Sequence, residues 1–256
     1  VFEIRGIGTR EEMYCGYFTN PTTAGQEVAQ WANSHAYTGL YVTLNQLHTG
    51  VLARKQPNTF GEVRGYPTSS DRDVIKRRWI LVDVDAERPA GISASSEEIE
   101  LSRVVRDCLV GWAREFWDGK IVTAASGNGS HMLLECLQQF SDADVKAFLQ
   151  QLPNMVDDEK AWKILSMGLC KIDTSVFNPG RITKLYGTYA CKGWELPQQD
   201  RFFRKSQLEE VHYGYKYRGR DGKVGGFEPA YQTNGSGHTG NGKPETLPGK
   251  TFNILH

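Results

Sequence analysis

The stretch Trp79-Ile80-Leu81-Val82-Asp83-Val84-Asp85 constrains this chain more than any other. Its apolar residues run together up to the first carboxylate, which predicts a strand buried on both faces. Two aspartates two residues apart in a strand put both carboxylates on one face, about 6.6 Å apart at the backbone. Oxygen ligands in that arrangement suit Mg²⁺ or Mn²⁺. A pair of such ions about 3.5 to 4 Å apart can align an attacking oxygen with a departing group. Asp-x-Asp at a strand end is also common in surface turns, so the spacing alone does not decide between the two readings.

The flanking sequence supplies the rest of a mixed fold. Strands are expected at Val1 to Arg5, near Tyr14 to Phe18, and at Leu40 to Leu44. Thr23 with Gln26 reads as a capping box for a helix that carries Val28, Trp31, Ala32 and His35 on one face, with His35 a face residue and not a ligand. Ser95 with Glu98 caps a long helix whose Ile99, Val104, Val105, Cys108, Leu109, Trp112 and Phe116 form a core stripe. Ile121 to Ser126 and His131 to Glu135 are strand-like and are separated by Gly127-Asn128-Gly129-Ser130, a hairpin signal. Ser141 with Asp144 opens a helix that Pro153 stops, and residues 157 to about 169 are expected to be helical. Cys170 to Val176 then returns to strand, Asn178-Pro179-Gly180 turns, and Arg181 to Leu185 runs back. Alternating strands and helices predict an α+β (or α/β) enzyme core. A length of 256 residues suits one large domain or two small ones. From residue 228 the composition turns to Gly, Pro, Ser, Thr and Asn, which reads as a linker or tail after a domain spanning 1–227.

The formal net charge is zero, so no overall basic field announces a polyanionic partner. Between Arg181 and Lys223, however, ten Lys/Arg face five Asp/Glu, a local excess of +5. Tyr186, Tyr189, Trp194, Phe202, Phe203, Tyr213, Tyr215 and Tyr217 are interleaved with those charges, a mixture that single-stranded nucleic acid favours. A solvated face with ordinary core aromatics has the same composition. The five cysteines are scattered, with no Cys-x-x-Cys pair, which argues against a disulfide framework and against a zinc knuckle and fits reduced thiols in a cytoplasmic protein. No apolar run approaches the roughly 18 residues of a membrane span, so no membrane partner is expected.

Two further elements carry chemistry. In Ser126-Gly127-Asn128-Gly129-Ser130-His131, glycines let the backbone turn tightly and approach an anion beside a hydroxyl and an imidazole. A plain hairpin with a surface histidine is the alternative. Asp173, at the end of an apolar strand and followed by Arg181 and Lys184, adds a third carboxylate and two cations. In a regular strand Arg181 and Lys184 would point to opposite faces. Gly237 to Lys243 has the spacing of a phosphate-binding P-loop. Pro244 stands where a Mg²⁺-holding hydroxyl is needed and no apolar strand precedes the loop, so that reading is set aside.

Taken in order, these residues resemble the archaeo-eukaryotic primase superfamily, and more narrowly its primase-polymerase branch of plasmids, phages and other mobile elements. The family's first motif, apolar residues then Asp-x-Asp, matches Asp83 and Asp85. Its second, a small residue, any residue, then His, matches Gly129-Ser130-His131, and its third, an apolar residue then Asp, matches Ile172-Asp173. The stretches from Asp83 to Ala94, Ser126 to Gly129 and Asp173 to Thr188 are similar to that branch as well, as are Gly16-Tyr17-Phe18 and Tyr41 to Asn45. The resemblance covers roughly residues 1 to 225. It implies an N-terminal α/β module packed on an RRM-like catalytic module, without a zinc module. Asp83, Asp85 and Asp173 would be catalytic and hold Mg²⁺ or Mn²⁺. His131 would bind the incoming nucleotide, with Ser126 or Ser130 offering a hydroxyl, Gly129 in the small position, and Arg181 and Lys184 on phosphate. The implied activity is template-directed synthesis or extension of primers from NTPs or dNTPs on single-stranded DNA. A helicase domain beyond residue 256 is a further implication. Two rival classes use similar residues: a metal-dependent nuclease or nicking enzyme, and an inactive nucleic-acid-binding module that keeps only the shell of the fold.

Overall fold

A computed structural model describes residues 1–214. The expected linker at 228–256, the 227/228 boundary, the P-loop-like stretch and the distal part of the basic segment lie outside the described residues. The chain lays down β1 (Phe2–Gly8), β2 (Met13–Phe18), α1 (Pro21–Ala32), β3 (Tyr37–Thr43) and the short strands β4 (Gln46–Leu47), β5 (Gly61–Glu62) and β6 (Val74–Lys76). It continues with β7 (Trp79–Ala86), α2 (Ser96–Phe116), β8 (Lys120–Ala125), β9 (Gly129–Glu135), α3 (Asp142–Gln151), α4 (Glu159–Ser166) and β10 (Cys170–Ile172). The last described strands are β11 (Ile182–Lys184), β12 (Tyr189–Ala190), β13 (Arg204–Lys205) and β14 (Gln207–Tyr213).

Two five-stranded sheets result, one in the order β11-β3-β1-β2-β5 and the other β10-β7-β9-β8-β14. Every pairing within these two sheets is antiparallel, so of the two expected classes the fold is α+β. The second sheet follows the chain as β7-α2-β8-β9-(α3, α4)-β10, with β7 and β9 at its centre. Ile80, Val82 and Val84 project from one face of β7 and pack with Val105 and Leu109 of α2 and with Met132 and Leu134 of β9, all buried. Leu81, on the other face, is buried too, as the unbroken apolar run predicts. In the first sheet Ile4, Phe18 and Leu40 close on Ala24, Val28 and Trp31 of α1. Among the described residues no helix is long and apolar enough to cross a membrane.

Several local expectations shift. The cap of α1 is Asn20, whose Oδ1 accepts from the Thr22 and Thr23 backbone N–H groups, with Pro21 at the first helical position. Asparagine is a strong cap and proline is pre-set for that position, so the helix starts before Thr23. It stops at Ala32, and His35 lies beyond it with its ring stacked 4.9 Å from that of Trp31. The buried centre of α2 runs through Ile99, Ser102, Val105, Arg106, Leu109, Val110 and Ala113, while Val104, Cys108, Trp112 and Phe116 flank it. Ser102 and the paired Arg106 belong to that buried face, and an apolar pattern does not register polar residues. Arg106 is buried because it pairs with Glu209 of β14.

The strands on either side of Asn178-Pro179-Gly180 do not form a hairpin. β10 pairs with β7 (Cys170↔Ala86) and β11 pairs with β3 (Ile182↔Thr43), so the turn carries the chain from one sheet to the other. Asp71 holds that crossing, since its Oδ1 accepts from Asn178 Nδ2 and from the Gly180 N–H, both at 2.8 Å. Asn45 fastens it from the other side, with Nδ2 donating to the Pro179 carbonyl and Oδ1 accepting from the N–H groups of Arg78 and Trp79.

Candidate active site

The register of β7 against β9 builds the site. Asp83 stands opposite His131 and Asp85 opposite Gly129, while Val84 stands opposite Ser130. Directly opposed residues share a face, so Asp83, Asp85, Gly129 and His131 face one way, and Val84 and Ser130 face the helices. Gly129 leaves the space that Asp85 uses. A Cβ there would lie 2.6 Å from the Val84 carbonyl oxygen and 3.0 Å from the Asp85 carboxylate. The crossing chain brings in the third carboxylate, because the Asp173 N–H donates to the Asp83 carbonyl at 2.9 Å.

His131 is buried, with both ring nitrogens engaged. Nδ1 lies 2.7 Å from the Tyr186 hydroxyl and 3.5 Å from Thr183 Oγ1, and Nε2 lies 3.3 Å from Asp83 Oδ1. The Tyr186 ring meets the imidazole edge-on at 74°. Burial pushes the Tyr186 phenol well above its usual range, so it stays protonated. An ionised Asp83 can only accept, which places a ring hydrogen on Nε2. In the neutral ring Nδ1 then accepts from Tyr186.

The two carboxylates on β7 differ. Burial raises Asp83, but the nearby His131, and after it Arg181 and Lys184, outweigh burial and hold it below the ordinary carboxylate range. Burial first and the Asp83 charge second push Asp85 up to about 6, against the pull of Arg88, His131 and Lys171. Arg88 Nη1 approaches Asp85 Oδ1 at 3.9 Å, and its guanidinium also donates to the carbonyls of Ala86, Ile92 and Asn128. Arg181 Nη2 lies 3.7 Å from Asp173 Oδ2, and Lys184 donates to the Tyr41 hydroxyl at 3.2 Å while its ammonium sits 4.5 Å from that ring's centre. Arg181 precedes β11, so strict strand alternation does not separate it from Lys184. Both cations act on Asp83.

The donor chemistry fits a hard divalent cation. Asp83 Oδ1 is buried, with the His131 Nε2 ion-pair contact at 3.3 Å and no partner in full hydrogen-bond geometry, and a second carboxylate stands two residues along the same face. Asp173 is adjacent but turned to other partners, with Oδ1 accepting from the Ser175 N–H and Oδ2 facing Arg181. Among the described residues no three His, Cys, Asp or Glu side chains already converge as a metal-binding group.

The structure thus brings Asp83, Asp85, Gly129, His131, Asp173, Arg181 and Lys184 to one region and turns one expected residue, Ser130, to the other face of the sheet. Ser130 is fully buried beneath the sheet, its hydroxyl 2.9 Å from that of Ser102 on α2. Ser126 is buried in the β8–β9 turn, where its hydroxyl accepts from the Asn128 N–H. Gly127 of that turn, at φ +94°, backs onto Ala190 and the Arg204 carbonyl. Tyr186, Thr183, Arg88 and Tyr41 also line the region, and no local spacing marks them as site residues. In the sequence Tyr186 is one aromatic among many, and its partner is 55 residues away.

No protein-family model and no curated protein matches the sequence. Among solved structures, the chain is similar to the AEP domain (PP-N190) of the cyanophage S-2L primase-polymerase (PrimPol), with a TM-score of 0.40 and 13% identity over 82% of this chain and 80% of that one. At that distance the similarity bears on neither the activity nor the site.

Proposed function

We propose that the chain is a metal-dependent nucleotidyltransferase of the primase-polymerase type, which makes or extends primers on single-stranded DNA from NTPs or dNTPs. The observation that carries this reading is the β7–β9 register, which sets Asp83 against His131 and Asp85 against Gly129 beside Asp173. Those are the residues of the three motifs on which the resemblance to the archaeo-eukaryotic primases rests. The β-α-β-β-α-β course of the second sheet, in the order β10-β7-β9-β8, supports treating it as the RRM-like catalytic half.

In this reading Asp83 and Asp85, with Asp173, hold Mg²⁺ or Mn²⁺. When bound, the metal neutralises triphosphate charge and favours ionisation of the attacking 3′ hydroxyl. The protein's own part is positioning and fixed charge. Arg181 and Lys184 face the carboxylates from the first sheet and take the triphosphate. His131, oriented by Tyr186, presents an Nε2 hydrogen that faces Asp83 in the free protein and donates to a phosphate oxygen in the nucleotide complex. Ser130, bonded on the helix side of the sheet, has no part in nucleotide binding. We propose a helicase domain C-terminal to residue 256 as the partner that supplies the single strand.

The test is incubation with a single-stranded DNA template, labelled nucleotides and Mg²⁺ or Mn²⁺, with and without a primer, beside an Asp83→Ala/Asp85→Ala control. Products without a primer that vanish in the control establish priming, and products only with a primer establish extension alone. Degraded template with no incorporation would instead support the nuclease, and unchanged template with nucleotide bound would support the inactive module.

A further inference from the structure

Beyond Tyr186 the chain makes an excursion, residues 187–206, that is fastened at many points yet leaves large rings in water. Tyr189 pairs with Lys205 and Ala190 with Arg204, closing the β12–β13 ribbon. Arg201 makes a bidentate pair with Glu98 and donates to the Ser93 carbonyl. Arg204 donates to the Ala94 carbonyl and to Ser96 Oγ, and the Trp194 backbone bonds Gly91 and Ser93. Despite this anchoring, Trp194 is 77% exposed, Tyr189 51% and Phe202 41%.

A segment held by its backbone and two arginines while presenting three aromatic rings to solvent has the form of a stacking surface. The surrounding charges narrow the ligand. Lys192 and Lys205 are exposed, and the Arg204 guanidinium lies 6.0 Å from the centre of the Phe202 ring. The acidic residues of the excursion are occupied locally: Glu195 accepts from the Phe203 N–H, and Asp200 accepts from the Ser96 N–H and faces Arg204. Flat rings beside cations match a ligand with π-faces on an anionic backbone.

The segment also abuts the candidate active site. Tyr189 follows Tyr186, which touches His131, by three residues, at most about 10 Å of chain. Gly127, in the turn that leads to His131, packs against Ala190 and the Arg204 carbonyl. We infer that Tyr189, Trp194 and Phe202 form a platform on which unpaired bases of a single DNA strand stack as that strand passes the active site. Identifying that strand as the template rests on the polymerase reading, whereas the platform itself does not.

The experiment is fluorescence anisotropy of labelled oligothymidylate with the full chain in EDTA, where no turnover occurs, comparing wild type with Tyr189→Ala, Trp194→Ala and Phe202→Ala. Trp162→Ala is the control, since Trp162 is as exposed as Tyr189 but lies on α4, on the helix side of the second sheet. All four rings are exposed, so circular dichroism should show the same fold in each variant. Loss of one platform ring should weaken binding by roughly 5- to 100-fold, the control should bind as wild type does, and a blunt duplex should bind far more weakly than the single strand. The inference fails if wild type does not bind the strand, if the platform variants match the control, or if duplex binds equally well. Strand binding through these rings without nucleotide incorporation would keep the platform and remove the polymerase reading. Incorporation with unaltered strand affinity in the variants would do the reverse.

Discussion

Replacing Asp85 by asparagine should stabilise the metal-free protein. Asp85 shares a strand face with Asp83, and burial together with that neighbouring charge raises its carboxyl from 3.8 to about 6. A carboxyl raised on folding is a cost wherever it must ionise: the folded state binds the proton more tightly, so stability falls as pH rises from about 4 through about 6. The full displacement corresponds to about 3 kcal/mol at ~1.4 kcal/mol per tenfold change in proton affinity. Asp85 keeps 32% of its side chain in water, and screening there reduces the figure to about 1 to 2 kcal/mol. For a protein of this size that is about 3 to 6 °C in melting temperature. Asparagine keeps the shape and removes the charge, and Arg88 retains its three carbonyl acceptors. Thermal denaturation in EDTA at pH 7.5 should therefore show Asp85→Asn melting above wild type. The gain should shrink to about half near pH 5 and vanish below about pH 4. Added Mg²⁺ should raise the wild-type melting temperature at pH 7.5 and leave the variant's unchanged. A variant no more stable than wild type at pH 7.5, or one whose advantage persists undiminished at pH 4, would refute the reasoning.

Gly129→Ala should cost about 1 to 3 kcal/mol in urea denaturation and also abolish the Mg²⁺-induced rise in melting temperature, because the added methyl meets the Val84 carbonyl and the Asp85 carboxylate. Ser130→Ala should lose about 1 kcal/mol of stability with its bond to Ser102 while nucleotide affinity stays at the wild-type level. His131→Ala should lower that affinity, and equal affinities in the two variants would contradict the assigned faces. Asp73, buried against Arg54 in a two-pronged pair at 2.7 and 3.0 Å, is held below the ordinary carboxylate range, chiefly by that guanidinium. Its contribution is present above about pH 4 and is lost as pH falls from there through the depressed folded value. Asp73→Asn should therefore cost about 3 kcal/mol at pH 7, with the difference from wild type narrowing in strong acid.

What the sequence determined by itself was local. The run from Trp79 to Asp85 forms a buried strand with both carboxylates on one face because side chains alternate along a strand, whatever surrounds it. Ser95 with Glu98 and Ser141 with Asp144 cap their helices because a capping box closes within four residues. What only the tertiary structure decided depends on pairings between distant segments. Register placed His131 opposite Asp83 and turned its neighbour Ser130 to the helices, a choice that a one-residue slip would reverse. The turn at Asn178-Pro179-Gly180 was visible, but whether it closed a hairpin or crossed between sheets depended on β3 and β7, more than 80 residues upstream. Tyr186 became the partner of His131 through that crossing, and Arg181 and Lys184 came to act on the same carboxylate through it as well. Hydrogen bonds and charges act through space over a few ångströms, and the chain's order does not encode which distant residues folding brings within that range.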